Sequence, residues 1–369
     1  MDLLNQILQK AISLGATDVH LAPDVVPVYR ISRKLFYDDS KFPLSKMSLV
    51  QIVEDFYKER PNLEKDFEER RQLDVSHTYG DHRFRINISL TKGIPTFSIR
   101  IIPNTMLDVS DLGLKDIINK MKKINSGLIL LTGKVNSGKS TTLNAFVQEL
   151  NKEVNKKIVT LEDPIEYEHK SNKCIIIQKE IGRESDVLSY YDGLINLLRE
   201  DADIAILGEI RDKRTMDVAL DLSESGGLVI GTLHTRSCGE TLERIISMYP
   251  PADQATIKNT VSSVLKMVVS QKLVVDTEGK LLMIPEIMMV NHTIAALIRQ
   301  EKFSVGDLED SIHAQRDIGS LSFEYSLADL YSRGKIDMET VKANADENRM
   351  ETIKNLILTY GGNLDDVDF

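Results

Sequence analysis

The sequence predicts an α/β protein of at least two domains, on three observations. From about residue 113 to 290, apolar runs of strand length alternate with amphipathic helical stretches, the pattern of a parallel sheet. Before that, residues 1–102 mix a first helix with strand-like runs, an α+β arrangement. After it, residues 290–369 carry only helical periodicity. A chain of 369 residues has room for two or three domains with a well-buried core.

The elements follow in order. "MDLLNQILQKAISLG" puts Leu3, Leu4, Ile7, Leu8 and Ala11 on one helical face, and it lacks the basic start and long apolar run of a signal peptide. "RFRINIS" (83–89) alternates, with Phe84, Ile86 and Ile88 on one face and Arg83, Arg85 and Asn87 on the other. "TFSIRII" (96–102) is a second strand, and "TKGIP" (91–95) supplies turn chemistry between them. "PNTMLDVSDLGL" (103–114) loses periodicity and reads as a linker. Four strands follow: "GLILLT" (127–132), "KIVTLE" (157–162), "DIAILG" (203–208) and "LVIGTL" (228–233). Val187, Leu188, Tyr191, Leu194, Ile195 and Leu198 form a helical stripe between them. Another helix starts near Asp212 and stops at Gly226-Gly227.

Composition narrows the function classes. Hydrophobic content of 42% and charged content of 28% are ordinary for a soluble globular protein. A formal charge of −10 argues against a general nucleic-acid binder, and Lys120-Met121-Lys122-Lys123 reads as a solvated helix face. Cys174 and Cys238 have no second pair nearby, which excludes a four-cysteine zinc site. They give no support for a disulfide scaffold either, so a cytoplasmic setting is the expectation. "LLMIPEIMMV" (281–290) is too short to span a bilayer and is interrupted by Pro285 and Glu286, so no membrane-spanning segment is expected.

The strongest motif is "LILLTGKVNSGKSTTLNAF" (128–146). Gly133 to Ser140 fits G-x-x-x-x-G-K-[ST], with a strand before it and an amphipathic helix (Leu143, Phe146, Val147, Leu150) after it. Backbone N–H groups of such a loop point inward and cradle an anion, and the helix N-terminus adds partial positive charge. Gly133, Asn136, Ser137, Gly138, Lys139, Ser140 and Thr141 are therefore the candidate contacts for ATP. Lys139 would reach the terminal phosphates and the Ser140 hydroxyl would hold Mg²⁺.

Each strand of the sheet ends in a chemically loaded group. After the phosphate loop come "LEDPIEYEH" (161–169) with Glu162, Asp163 and Glu166, "LGEIRD" (207–212) with Glu209, and "GTLHT" (231–235) with His234. Ligands of open parallel sheets bind at the carboxyl ends of the strands. Glu209 follows a buried run on its own strand, from which a carboxylate can hold the Mg²⁺ shell or polarise a water. Asp163 and Glu166 also fit solvated acids of a proline turn, and His234 also fits a structural histidine. Arg83, Arg85 and Arg100, the last on the strand 96–102, likewise fit a surface cluster paired with acids.

Together these residues resemble the secretion-type hexameric ATPases and, among them, the twitching-motility (PilT-like) retraction motors of type IV pili. The likeness spans residues 3–346. "GATDVHL" (15–21), "RFRIN" with Arg100, "TLEDPIEYEH", "LREDADIAILGEIRD", "GTLHT", "AALIRQEK" and "GSLSFEYSLADLYSRGKI" carry it. It implies a PAS-like N-terminal domain (1–105), a RecA-like ATPase core (106–290) and a helical C-terminal part (291–369). It implies a homohexameric ring working on an inner-membrane platform protein, peripheral to the cytoplasmic face. Glu209 carries over as the catalytic glutamate, with Glu166 of the acidic box beside it and His234 as a coupling residue. Arg83, Arg85 and Arg100 carry over as arginines reaching a nucleotide.

Two stretches depart from the family. Lys134 and Val135 follow the first loop glycine where small residues or proline are usual, and Arg236 stands where a smaller residue is usual. With two cysteines and a short N-terminal domain, the chain lacks the zinc element and longer N-terminal region of assembly and type II secretion relatives. That favours ATP-driven retraction over assembly or type II secretion, while DNA-uptake ATPases, some of which also lack the zinc element, stay open as an alternative. A RecA-like nucleic-acid translocase is the alternative of another class, and the negative charge weighs against it.

Overall fold

The computed structural model describes residues 1–32, 34–102, 113–182 and 185–362. The linker read at 103–114 falls outside these except for its last two positions, and so does the acidic end 363–369. The chain divides into two compact units. One takes the described residues of 1–106, 162–168 and 179–188, and the other those of 107–161, 169–178 and 189–369.

In the first unit the order is α1 (Asp2–Ser13), β1 (Asp18–Leu21), β2 (Val28–Ile31), β3 (Lys34–Tyr37), α2 (Lys46–Glu59), α3 (Leu63–Arg70), β4 (Gln72–Tyr79), β5 (His82–Thr91) and β6 (Ile94–Ile102). The six strands form one antiparallel sheet ordered β3-β2-β1-β6-β5-β4. Leu4 and Leu8 of α1 and Leu49, Ile52 and Phe56 of α2 join Phe84, Ile86 and Ile88 in one apolar core. The alternation of "RFRINIS" therefore marks a core face and an outer face. The turn between β5 and β6 is tighter than the five residues expected. Lys92 and Gly93, both at positive φ, close it, and Ile94 and Pro95 already pair in the sheet.

That tight turn sets a register with electrostatic content. Arg85 lies directly opposite Arg100. The same row continues through Asp18 of β1 to Arg30 of β2 and, on the other side, to Ser76 of β4.

The second unit continues with α4 (Lys115–Met121), β7 (Gly127–Thr132), α5 (Lys139–Glu153), β8 (Lys157–Glu162), β9 (Ile175–Glu180), α6 (Tyr190–Leu197), β10 (Ile204–Leu207), α7 (Lys213–Glu224), β11 (Leu228–Leu233), α8 (Cys238–Ser247) and α9 (Gln254–Val264). Then come β12 (Leu265–Val275), β13 (Leu281–Met289), α10 (His292–Arg299), α11 (Val305–Ala314), α12 (Phe323–Ser332), α13 (Met338–Asn344) and α14 (Met350–Thr359). The sheet order is β13-β12-β7-β11-β10-β8-β9. β7, β8, β10, β11 and β12 run parallel, and β13 returns antiparallel to β12. β7 is buried along its whole length, as a central parallel strand must be. One face of the sheet packs on Ile117 and Ile118 of α4 and Phe146 and Val147 of α5. The helices α12, α13 and α14 form a satellite core with Val274 and Ile284 at the β12–β13 edge.

Three strands of this sheet escape the sequence reading. β12 follows a helix without a break and has its apolar residues split by Ser270-Gln271-Lys272, and β13 contains Pro285. The proline is tolerated because β13 is the edge strand. The helical stripe expected from Val187 starts later, at Tyr190. Ser189 Oγ caps it by accepting from Asp192 N–H, and Val187 instead bridges to Ile181. Asp212 caps α7 by accepting from Thr215 N–H, as its position suggests.

Gly193 of α6 gives a stability prediction. Alanine normally stabilises a helix interior relative to glycine, by roughly 0.5–1 kcal/mol. A Cβ at Gly193, however, would sit 2.7 Å from Leu161 Cδ1, and Leu161 is fully buried. Overpacking of this kind costs about 1–3 kcal/mol. Gly193→Ala should therefore lower the urea unfolding midpoint; a raised midpoint would mean that Leu161 yields freely.

Candidate functional site

The phosphate loop joins β7 to α5 within the second unit. Gly133 (φ 149°) and Gly138 (φ 89°) take conformations that favour glycine, and Asn136 is left-handed as well (φ 64°). A Cβ on Gly133 would lie 2.3 Å from Ser137 Oγ and 2.5 Å from the Gln271 carbonyl oxygen, so the loop closes only around glycine. Lys139 is 9% exposed, and its ammonium donates to the carbonyls of Gly133 (2.8 Å) and Lys134 (3.1 Å). Ser137 Oγ is buried without a hydrogen-bond partner. Ser140 is exposed and Thr141 half-buried on the first turn of α5, while the Lys134 side chain is exposed.

His234 leaves the end of β11, the strand beside β7, and Glu209 the end of β10, the strand beyond it. His234 Nε2 lies 3.2 Å from Glu209 Oε1, and His234 Nδ1 lies 3.4 Å from the Lys139 ammonium. An ammonium offers only protons, so Nδ1 must accept and Nε2–H must donate to the carboxylate. The imidazole in this tautomer connects the phosphate lysine to the glutamate. Arg211 Nε donates to the other oxygen of Glu209 at 2.7 Å. Backbone ties hold these ends in place: Gly208 N–H donates to Leu161 O and Ile210 N–H to Thr232 O.

Glu162, Asp163 and Glu166 fall in the first unit, as do the three arginines. Those arginines differ in their surroundings. Arg83 is 17% exposed and donates to Glu168 (2.7 Å) and Glu180 (2.6 Å), the latter also accepting from Ser76 Oγ. Arg100 is 67% exposed, with Nε 3.3 Å from Asp18. Arg85 is exposed and has no ion pair among the described residues. Two guanidiniums facing each other across β5 and β6 repel. Arg85 and Arg100 are thus the pair best placed to gain from an anion, and Arg83 is already committed to carboxylates.

These residues fit a nucleoside triphosphate with Mg²⁺. The unpartnered Ser137 hydroxyl, the glycine-only cradle and the ammonium inside the loop are the donors that phosphate oxygens require. Among the described residues there is no cluster of three or more His, Cys, Asp or Glu side chains that could hold a metal ion. Mg²⁺ is ordinarily held by one or two protein groups plus phosphates, so Ser140 and Glu209 suffice in kind.

A phosphate loop on the central strand of a parallel sheet, with a carboxylate and a histidine at the ends of the next two strands, defines a RecA-like P-loop protein. The first 301 residues match the model of the family described as type II/IV secretion system protein, and the chain belongs to that family. It is 33% identical over 343 residues to the type IV pilus retraction ATPase PilT of Pseudomonas aeruginosa, covering 93% of this chain and 98% of that protein. It is 34% identical over 264 residues to a twitching motility protein of Neisseria gonorrhoeae, covering 71% and 70%. The crystal structure of the pilus retraction motor PilT with bound ADP superposes with a TM-score of 0.85 at 30% identity, covering 94% of this chain and 98% of that one. No helix among the described residues is long and apolar enough to cross a membrane.

Sequence reasoning misses two participants. Arg211 stands two positions after Glu209 on extended chain, the spacing that returns a side chain to the same side. His169 closes the acidic box; its Nε2–H donates to Asn144 Oδ1 at 2.7 Å, and Asn144 Nδ2 donates to the Ser140 carbonyl.

Burial lowers the His169 pKa to about 4, so the ring stays neutral in the native protein well below the unfolded value near 6.5. Between those values the unfolded chain binds a proton that the native chain does not, and stability falls as pH drops from about 6.5 to about 4. His169→Gln should remove that component. The parent-minus-variant difference in unfolding free energy should change through this window and level off outside it; parallel curves would refute the assignment.

Proposed function

We propose that this chain is an ATP-hydrolysing motor subunit of type IV pilus retraction, acting as a homohexameric ring against an inner-membrane platform protein. The observation that carries the reading is the Lys139–His234–Glu209 contact, made just past the carboxyl ends of three neighbouring strands, β7, β11 and β10. The retraction assignment leans on the likeness to PilT and to the gonococcal twitching motility protein. In domain terms, residues 1–105 form a PAS-like domain, which the antiparallel sheet with α1 and α2 in its core supports. Residues 106–290 form the ATPase core and 291–369 its helical C-terminal part.

In this reading the loop N–H groups, Ser137 and Lys139 bind the phosphates, with the Lys139 ammonium exchanging the Gly133 and Lys134 carbonyls for phosphate oxygens. Mg²⁺, when bound through Ser140 and Glu209, neutralises charge developing on the phosphates. Glu209 orients the attacking water. His234, touching both Lys139 and Glu209, registers whether the lysine is engaged by phosphate and aligns the carboxylate accordingly. Glu162, Asp163 and Glu166 line the nucleotide from the acidic box. Arg85 and Arg100 supply positive charge to the transition state when the domains close.

Glu209→Gln should keep ATP binding yet lower turnover by about 10²–10⁴-fold, the range for losing a positioned general base, whereas Lys139→Ala should weaken binding itself. Phosphate release at the parental rate in Glu209→Gln would remove Glu209 from the mechanism.

Arg85→Ala and Arg100→Ala should retain folding and ring assembly but lose most hydrolysis, by about 10³–10⁵-fold, as for an arginine supplied to a phosphoryl-transfer site. Unchanged hydrolysis in both would return them to a surface cluster. Deleting the gene should leave excess surface pili that no longer retract, while absent pili would indicate assembly.

A further inference from the structure

Behind the phosphate and histidine loops runs a string of buried polar side chains that the hydrolytic reading leaves unused. Thr132 Oγ1, at the end of β7, lies 2.6 Å from Ser270 Oγ of β12. Cys238 Sγ lies 3.7 Å from the same Ser270 oxygen. Cys238 N–H donates to Glu286 Oε2 of β13 at 2.6 Å. On the other side, Thr241 Oγ1 donates to the Ser237 carbonyl (2.7 Å) and lies 3.4 Å from Thr132 Oγ1 and 2.7 Å from Thr235 Oγ1, the residue after His234. Glu286 is 5% exposed and Cys238 fully buried.

Glu286 is the one carboxylate in this string, and no cation pairs with it among the described residues. Burying such a group is costly, and burial raises its pKa to about 7. What it provides is specific. Cys238 is the first residue of α8, where the backbone N–H has no partner inside the helix. The Glu286 carboxylate supplies that partner and favours the helix N-terminus electrostatically. The loop 234–237 between β11 and α8 is therefore pinned at both ends. At its start Leu233 pairs in register with Thr132, and at its finish Cys238 is held by Glu286.

We propose that Glu286 is a positioning residue for hydrolysis. By holding the Cys238 N–H it sets loop 234–237 so that His234 stays between Lys139 and Glu209. The proposal rests on the hydrolytic reading above for its kinetic consequence, but its structural half stands apart from it.

The test compares Glu286→Gln, which keeps an acceptor oxygen, with Glu286→Met, which keeps volume and removes it, in the full assembled chain. Two readouts are taken: kcat and KM for ATP, and the His234 imidazole ¹³C signal without nucleotide. Glu286→Met should lower kcat by about 10–100-fold, as small misplacements of catalytic groups do, with KM nearly unchanged. Glu286→Gln should restore most of the rate. In a His234→Ala background Glu286→Met should cost nothing more, since both act through the same imidazole.

The His234 signal should move in Glu286→Met and stay in Glu286→Gln, with the His20 and His77 signals of the first unit fixed in both. Parental kcat in Glu286→Met, additive losses in the double variant, or an unmoved His234 signal would each overturn the proposal. If the parent itself releases no phosphate, the hydrolytic reading fails and the His234 signal still decides the positioning role. Should Glu286→Met fail to fold, Glu286→Asp, which keeps the charge and retracts the oxygen by one methylene, carries the same expectation.

Discussion

A lysine ammonium removed from water must be solvated by the protein, and around Lys139 that demand shapes the second unit. Its acceptors are two carbonyls of its own loop, turned inward by a backbone path that opens and closes on glycine. The loop can take that path because β7 delivers it from a fully buried strand and α5 begins immediately after. A third neighbour, His234, comes from the adjacent strand, so the demand reaches across the sheet. Removing the ammonium would take a donor from both carbonyls and from the imidazole nitrogen, and the Lys134 carbonyl would still accept from Ser137 N–H.

How much of this was legible depends on distance along the chain. The phosphate loop is a local motif, and its strand and helix bracket it within 20 residues or so. The faces of β5 were legible too, since alternation alone separates Phe84, Ile86 and Ile88 from Arg83 and Arg85. The pairing of Arg85 with Arg100 was not. It depends on a turn of two residues rather than five, and shortening a turn shifts every partner that follows. The Glu209–His234 contact was out of reach for another reason: it exists because β11 lies between β7 and β10, an order with no local signature. β12 and β13 hid behind composition, one interrupted by Ser270-Gln271-Lys272 so that it shows no period and the other broken by Pro285.

Glu286 shows the same limit from the other direction. In sequence it interrupts an apolar run and so speaks only against a membrane span. In the fold it is the acceptor for the first N–H of α8, 48 positions away. The arginines also divide by environment rather than by pattern. Arg83, indistinguishable from Arg85 as a residue on the polar face of β5, is clamped by Glu168 and Glu180 while Arg85 remains exposed.

The row Arg30, Asp18, Arg100, Arg85 across the first sheet has a consequence for how this sequence can drift. Asp18 is the lone negative position in the row, 3.3 Å from Arg100 and 3.9 Å from Arg30. A neutral residue there would leave three cations in the row with no anion among them, and a charge reversal would leave four in succession. Each arginine can change singly at modest electrostatic penalty, but the aspartate cannot change without a matching loss on one of its flanks. Related chains that lack the acid at this position should therefore also lack at least one of the arginines, so the four sites vary as a block.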